Sequence, residues 1–397
     1  MITVGCVVSL SACGQNNATD KSSSSDVVRE ISIDGNKKSA GAETSEGKKK
    51  EETATQTPAV KTKKSYAKIT STAKVESFGG TVKVGDSAYE LYNYVDRSAK
   101  NYASVVNHVA AGLKGKADVY DIVVPTSVGI TFPDNKTSKV NSTNQKKSIH
   151  SIYKKMNRQV KTVSLYDTLM SHRKEYIYFR TDHHWTSKGA YYAYRQFCED
   201  TVADPAFANC SLIDDAAGVR ADPAKFLNGI QGHELSDYHQ EGFGSFLGSF
   251  YLDTDHNKSL RRDNVKAYFP VDHKKMTMTY HDQNGGKYKS SVIANGKKYS
   301  LQLKYCAFLA GDNPYTVIHN KKIKDGSGCV VVKESYGNAF VPYLADHYEK
   351  IYVIDYRYWK GSISSLAKQR KVQDVIFINN ISMTRNAYLI GKISQIK

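Results

Sequence analysis

The stretch Thr181-Asp182-His183-His184-Trp185-Thr186-Ser187 carries the residue types of a proton-transfer site, a carboxylate two positions before an imidazole. It lies between an aromatic run, Tyr176 to Phe179, and a helix-like run, Lys188 to Glu199. In an extended chain residues two apart share a face, so Asp182 and His184 are predicted to point together and His183 the opposite way. Such a pair serves a nucleophile. The candidate is Ser335, in Val330-Val331-Val332-Lys333-Glu334-Ser335-Tyr336-Gly337-Asn338, where a buried strand turns into a helix. A serine hydroxyl attacks a carbonyl when a base within hydrogen-bond reach takes its proton and a third group fixes the tautomer of that base. The chemistry of Ser335, His184 and Asp182 together is therefore acyl transfer through an acyl-serine. Taken singly, each half has a structural reading: Asp182 and His184 as caps of the next helix, Ser335 as an ordinary N-cap.

An acyl-transfer site also needs donors for the developing oxyanion, worth about 3 to 4 kcal/mol each. Backbone N–H groups at Ser335 and Tyr336 are placed to serve, aided by the helix start that follows them. Arg357 is a candidate for holding an anionic polymer or an acyl carbonyl, with a surface salt bridge as the alternative. Trp185 either stacks on a sugar face or packs under its own loop. Adjacent His183 and His184 diverge in an extended chain and no third ligand stands at useful spacing, so no metal site is expected. The chain has no Gly-rich nucleotide loop, and no cofactor is expected.

Positioning these groups requires a sheet. Helical spacing at Tyr102, Val105, Val106, Val109 and Ala110 precedes a continuous apolar strand, Val119 to Val124. The last hundred residues repeat the alternation, with strands at Tyr305 to Leu309, Cys329 to Val332, Ile351 to Ile354 and Val375 to Ile378, and helices around Phe340 to Tyr348 and Ser364 to Lys371. Strands separated by helices imply parallel units with helices on both faces, whose active groups collect at the carboxyl ends of strands. Short strands divided by Gly79-Gly80 and Gly85-Asp86 open the body, Thr186 is the predicted cap of the helix behind His184, and Asn284-Gly285-Gly286 and Asn295-Gly296 are hairpin signals. Between them, Leu227 to Tyr280 is rich in His, Asp, Gly and aromatic residues and shows no convincing period, which reads as loops and short strands.

The first residues read differently. Ile2 to Leu10 is apolar and leads to Leu10-Ser11-Ala12-Cys13-Gly14, the pattern of a bacterial lipobox whose Cys13 becomes lipidated. No Lys or Arg precedes it, which points to a true start upstream of Met1. Residues 14–65 are Ser, Lys, Glu, Thr and Ala with almost no aromatic residue, too polar to offset chain entropy. They are expected to tether a catalytic domain, residues 66–397, on the order of 40 Å from a lipid anchor. Of the formal net charge of +17, the portion after residue 75 carries +13, which suits an anionic polymer or membrane surface, with a merely solvated surface as the alternative. No recognised nucleic-acid motif or Arg-aromatic repeat accompanies that charge, so nucleic acid is not the expected partner. In an exported chain Cys198 and Cys210 are candidates for a disulfide, while Cys306 and Cys329 read as buried thiols.

Asp182-His183-His184-Trp185, with Lys333-Glu334-Ser335-Tyr336-Gly337-Asn338 and Ile351 to Trp359, resembles the bacterial DHHW protein family, itself similar to the SGNH-hydrolase-like domains of periplasmic alginate O-acetyltransferases. The likeness is scattered over roughly Val119 to Lys397. It implies an SGNH-hydrolase-like (flavodoxin-like) parallel sheet sandwiched by helices, with a loop- and hairpin-rich insertion. It places acid, base and nucleophile on Asp182, His184 and Ser335. Glu334 stands where related turns often have Asp, and Asn313, in a Gly-Asp-Asn turn resembling the family's Gly-Gly-Asn, becomes the side-chain oxyanion candidate. The implied activity is extracytoplasmic O-acetylation of a cell-surface polysaccharide, with a membrane-bound acyltransferase as donor partner. A carbohydrate acetyl esterase using the same triad and a non-catalytic wall-binding lipoprotein are the alternatives.

Overall fold

Strands β4 (Asp118–Val124), β5 (Val160–Thr162), β11 (Gly328–Lys333), β12 (Lys350–Asp355) and β13 (Asp374–Asn380) form the parallel part of an eight-stranded sheet ordered β5-β4-β13-β11-β12. The computed structural model describes residues 65–202, 232–252 and 259–397. Cys13, Cys210 and the lipobox lie outside them. Buried on both faces, β11, β12 and β13 carry the apolar runs Cys329 to Val332, Ile351 to Ile354 and Val375 to Ile378, whereas β4 holds Asp121 within its run and the edge strand β5 is exposed at Thr162. Along β11, Cys329 and Val331 enter one core with Trp185, Tyr194, Phe197 and Phe340, whereas Val330 and Val332 enter the other with Val106, Val109, Leu366 and Ile390. The first core is covered by helices α5 (Ser187–Val202) and α7 (Gly337–Leu344). The second is covered by α1 (Asp96–Gly112), α3 (Gln145–Tyr153), α8 (Ile363–Arg370) and α9 (Ala387–Ser394). The expected sandwich is present.

Strands β8 (Met276–His281), β9 (Lys287–Ser290) and β10 (Tyr315–Asn320) extend it as β12-β10-β8-β9, all antiparallel. The turn Asp282 to Gly286 joins β8 to β9 as a hairpin, but Asn295-Gly296 opens a short 3-10 turn instead of a second one. The predicted strand Tyr305 to Leu309 is also a 3-10 turn. Leu309, Ala310 and Gly311 all take positive φ (55°, 55° and 88°), which breaks extension, and the strand starts after Pro314. Asn313 therefore precedes a strand rather than ending one. Strands β1 (Val75–Phe78), β2 (Thr81–Val84) and β3 (Ser87–Glu90) make a separate meander, and β6 (His239–Phe246) pairs with β7 (Asp263–Phe269). Three short helices, α2 (Ser127–Ile130), α4 (Tyr166–Ser171) and α6 (Ser249–Leu252), complete the elements used below.

One core residue gives a stability prediction. Asp121 on β4 is fully buried, accepts the Tyr102 hydroxyl at one oxygen and has no partner at the other among the described residues. Burial pushes its carboxyl up to about 7, against the pull of Tyr102. A folded-state pKa above the unfolded value adds stability below the unfolded pKa and loses it as pH rises through the folded one. The loss spans about three pKa units, or about 4 kcal/mol between roughly pH 4 and 7. Asp121→Asn keeps the shape without the charge. Urea unfolding across this range is expected to show the variant gaining on the parent as pH rises, by up to about 4 kcal/mol at pH 8; parallel pH curves would contradict the assignment.

Candidate active site

Residues 179–184 form a tight loop, not a strand, pinched by the bridge between Tyr178 and Trp185 and by Phe179 N–H donating to the His184 carbonyl (3.2 Å). Thr186 then starts α5: its Oγ1 accepts from Gly189 N (3.3 Å) and donates to the Tyr176 carbonyl (2.9 Å). The loop is fastened from β7. Asp263, fully buried, accepts from Thr181 N (2.7 Å), Thr181 Oγ1 (2.6 Å), Arg180 N (3.0 Å) and the Tyr176 hydroxyl. The segment before α6 closes it from the other side, with Gly248 N donating to Thr181 Oγ1 (3.0 Å) and Phe250 N to the Thr181 carbonyl (2.9 Å).

Within this frame Asp182, His184 and Ser335 make one hydrogen-bonded chain. Asp182 Oδ1 lies 2.5 Å from His184 Nδ1 and also accepts the His184 backbone N–H (2.9 Å), while Oδ2 accepts from Ser249 N (2.9 Å). His184 Nε2 lies 2.7 Å from Ser335 Oγ. The Asp–His pairing arises from this local turn and not from strand alternation, so His183 does not point away. Its ring centroid is 3.9 Å from that of His184. Tyr305 stacks on the ring of His184 at 4.0 Å and 17° between planes, and its hydroxyl donates to the Ser335 carbonyl (3.2 Å). Burial would raise the Asp182 carboxyl, yet the two neighbouring imidazoles and the donated hydrogen bonds hold it well below the usual carboxylate range. An ionised acid, an oriented imidazole and a serine hydroxyl in line can transfer a proton from Ser335 to His184.

Ser335 leaves β11 at a turn that only Gly337 permits, since a Cβ there would stand 2.6 Å from Lys333 Cβ. Glu334 ties the turn down: Oε1 accepts from Asn380 N (2.9 Å), and Oε2 accepts from Tyr336 N (3.2 Å) and lies 3.2 Å from Ser335 Oγ. Burial pushes the Glu334 carboxyl above the ordinary range against the pull of Arg357.

Four expected substrate contacts change meaning. The Tyr336 N–H is taken by Glu334, which leaves the Ser335 N–H without a partner among the described residues. The Tyr336 ring is fully buried. Asn313 directs its side-chain amide at the carbonyls of Leu309 (3.1 Å) and Ala310 (3.2 Å), holding the positive-φ turn rather than facing outward. Trp185 is fully buried, its indole N–H donating to the Tyr336 carbonyl (3.0 Å), so it packs the two loops together and cannot stack on a sugar. Arg357 forks onto Asp355 (2.8 and 2.6 Å) and reaches Asp312 (2.9 Å), while Lys333 pairs with Asp355 (2.8 Å). Its Nε and Nη2 are engaged in a charge-balanced block that also binds Asn338 through Asp312 (2.8 Å), while Nη1 has no hydrogen-bond partner among the described residues. Cys198 is buried, and burial pushes its thiol up to about 12.

Asp182, His183 and His184 each place a ligand-type atom within 4.8 Å of the others. Both nitrogens of His184 are engaged, by Asp182 and Ser335, so an ion would have to break the chain of hydrogen bonds. Gly248, Ser249, Asp263 and Tyr305 are the site residues the sequence reading missed. All contact the loop from positions more than sixty residues away; the Gly- and aromatic-rich run 242–251 is a local signal for Gly248 and Ser249, and Asp263 and Tyr305 have none.

A family model described as DHHW protein matches residues 60–220 and 224–354. A search of the curated proteins gives no match. Among solved structures the chain is similar to a DHHW family protein from Eubacterium siraeum, at 27% identity and a TM-score of 0.67 over 82% of this chain and 98% of that one. It is also similar in fold to Bacillus cereus PatB1 bearing a sulfonyl adduct, at 16% identity and a TM-score of 0.60 over 82% and 98% of the two chains. The chain belongs to the DHHW protein family and has an SGNH-hydrolase-like α/β fold.

Proposed function

We propose that the protein is an extracytoplasmic serine-dependent O-acetyltransferase that acylates a cell-surface polysaccharide. The observation that carries this reading is the unbroken line Asp182–His184–Ser335, with contacts of 2.5 and 2.7 Å. Acyl transfer follows from that geometry: His184 takes the proton of Ser335 as Oγ adds to the donor ester, then returns it to the leaving group. The preference for a glycan acceptor rests on the family resemblance and on the positive charge of the chain, +17, which suits an acidic polymer. Acetyl-CoA is absent outside the cell, so the acyl group would come from a membrane-bound acyltransferase or another acylated polymer. A lipid anchor at Cys13 would hold the enzyme near such a donor; among the described residues no helix is long and apolar enough to cross a membrane.

The test is direct. An activated acetyl ester is expected to give a burst of alcohol and a 42 Da acetyl increment, about the mass of ketene, on the peptide containing Ser335. Adding oligosaccharides should then yield acetylated sugar. Acetate as the sole product would identify an esterase, and no adduct under either condition would leave only an anchored surface protein.

A further inference from the structure

If Ser335 carries the acyl group, as proposed above, a hydroxyl acceptor must be placed beside His184 in preference to water. His183 is built for that task. Its side chain is 36% exposed, against 6% for Asp182 and 9% for His184, so it is the member of the tetrad that meets solvent. The ring is nevertheless fixed. Nδ1 lies 2.9 Å from Ser249 Oγ, one face lies against His184, Phe250 stands edge-on at 6.4 Å, and the His183 carbonyl accepts the Tyr336 hydroxyl. Only Nε2 has no hydrogen-bond partner among the described residues. Asp182 Oδ2 lies 4.0 Å from Nδ1, which favours the tautomer with the proton on Nδ1 and leaves a lone pair on Nε2. The packing on its other faces and the adjacent His184 push this ring below the ordinary histidine range.

We infer that His183 Nε2 is an acceptor subsite, receiving a hydrogen bond from a hydroxyl of the incoming sugar while His184 acts on the attacking one. In the transfer step the sugar oxygen bonds to the acyl carbon of acyl-Ser335, His184 takes the sugar's proton, and the carbon–Oγ bond breaks as the proton passes to Ser335. His183 neither gains nor loses a proton. It orients the sugar, which raises the effective concentration of hydroxyl over water at the acyl carbon. It is thus a specificity residue rather than a member of the triad.

The discriminating quantity is the ratio of acetylated sugar to acetate formed from an activated acetyl ester in the presence of cello-oligosaccharides and glycerol. His183→Asn keeps a polar atom near the Nδ1 position and has none near Nε2; His183→Gln reaches the Nε2 position. The Asn variant is expected to form the Ser335 adduct yet lower the ratio for oligosaccharide at least tenfold, while the Gln variant retains most of it. Glycerol, too small to contact both histidines, should show a smaller change. Equal ratios in parent and Asn variant overturn the inference, as does a parent enzyme that forms the adduct but delivers acetyl only to water. Absence of any adduct in the parent overturns the nucleophile assignment instead, so the two failures are told apart. Should the Asn variant fail to fold by thermal melting, loss of the ratio in the Gln variant refutes the subsite equally well.

Discussion

Ser335→Ala is expected to abolish the acyl adduct and lower turnover of an activated acetyl ester by about 10⁴- to 10⁶-fold, the scale seen when a triad nucleophile is removed. The structural cost should be small. Among the described residues the Ser335 hydroxyl hydrogen-bonds only His184 Nε2 (2.7 Å) and Glu334 Oε2 (3.2 Å), so its removal forfeits hydrogen bonding worth about 1 kcal/mol net. The turn itself is held by backbone and by Glu334, through Asn380 N (2.9 Å) and Tyr336 N (3.2 Å), none of which needs the hydroxyl. Because Ser335 and His184 act on one proton, adding His184→Ala to Ser335→Ala should cost little more than either alone. The measurement is burst kinetics with intact-mass analysis, alongside thermal melts of each variant. Acyl turnover in Ser335→Ala within tenfold of the parent would show that the reaction proceeds elsewhere, and the hydrogen-bonded chain would then be structural.

Much of this was legible in the sequence because the parallel core is written in a simple code. β11, β12 and β13 are buried on both faces and so appear as continuous apolar runs, each followed by a polar break at its carboxyl end, and β4 is likewise buried but carries Asp121 within its run. That break marks Ser335, and residue type marks Asp182 and His184. Strand alternation does not bring the latter two together: they sit in a loop, where the Asp182 carboxylate accepts the His184 N–H. What the sequence concealed are contacts that depend on chain folding over long separations. Asp263 looks like any strand-start carboxylate until five donors from 176–181 converge on it. Arg357 and Asn313 look like ligand groups because the acceptors that engage them, Asp312 and Asp355 at Nε and Nη2 of Arg357 and three carbonyls of a positive-φ turn at Asn313, are local features with no periodic signature. Trp185 was ambiguous for a similar reason, since burial under a loop is set by Tyr336 from 151 positions away.

The same dependence makes Gly248→Ala the second large effect. A Cβ at position 248 would lie 2.1 Å from Asp182 Cβ, 2.5 Å from its Oδ2 and 2.7 Å from its Cα, and two of these three atoms belong to the rigid part of the residue. Gly248 does not have positive φ, so alanine suits its backbone and the whole penalty is contact. One of the two segments has to withdraw. The segment carrying residue 248 is riveted by Gly248 N to Thr181 Oγ1 (3.0 Å), Ser249 N to Asp182 Oδ2 (2.9 Å) and Phe250 N to the Thr181 carbonyl (2.9 Å), while Thr181 is itself clamped by Asp263. Separation therefore breaks at least one bond that orients Asp182, and the 2.5 Å contact to His184 lengthens with it. A base that loses its orienting carboxylate holds the wrong tautomer for part of the time, an effect reaching about 10⁴-fold when the carboxylate is neutralised outright. Displacement of an intact carboxylate should fall below that limit, at about 10²- to 10³-fold in acylation rate, with roughly 1 to 3 kcal/mol lost from stability through overpacking. Ser249→Ala is the control, because Ser249 orients Asp182 through its backbone N–H, which that substitution leaves in place. Its acylation rate should stay far closer to the parent's than that of Gly248→Ala. Equal acylation rates for Gly248→Ala and the parent would mean that Asp182 can shift without loss, and that His184 draws its orientation from the Tyr305 stack instead.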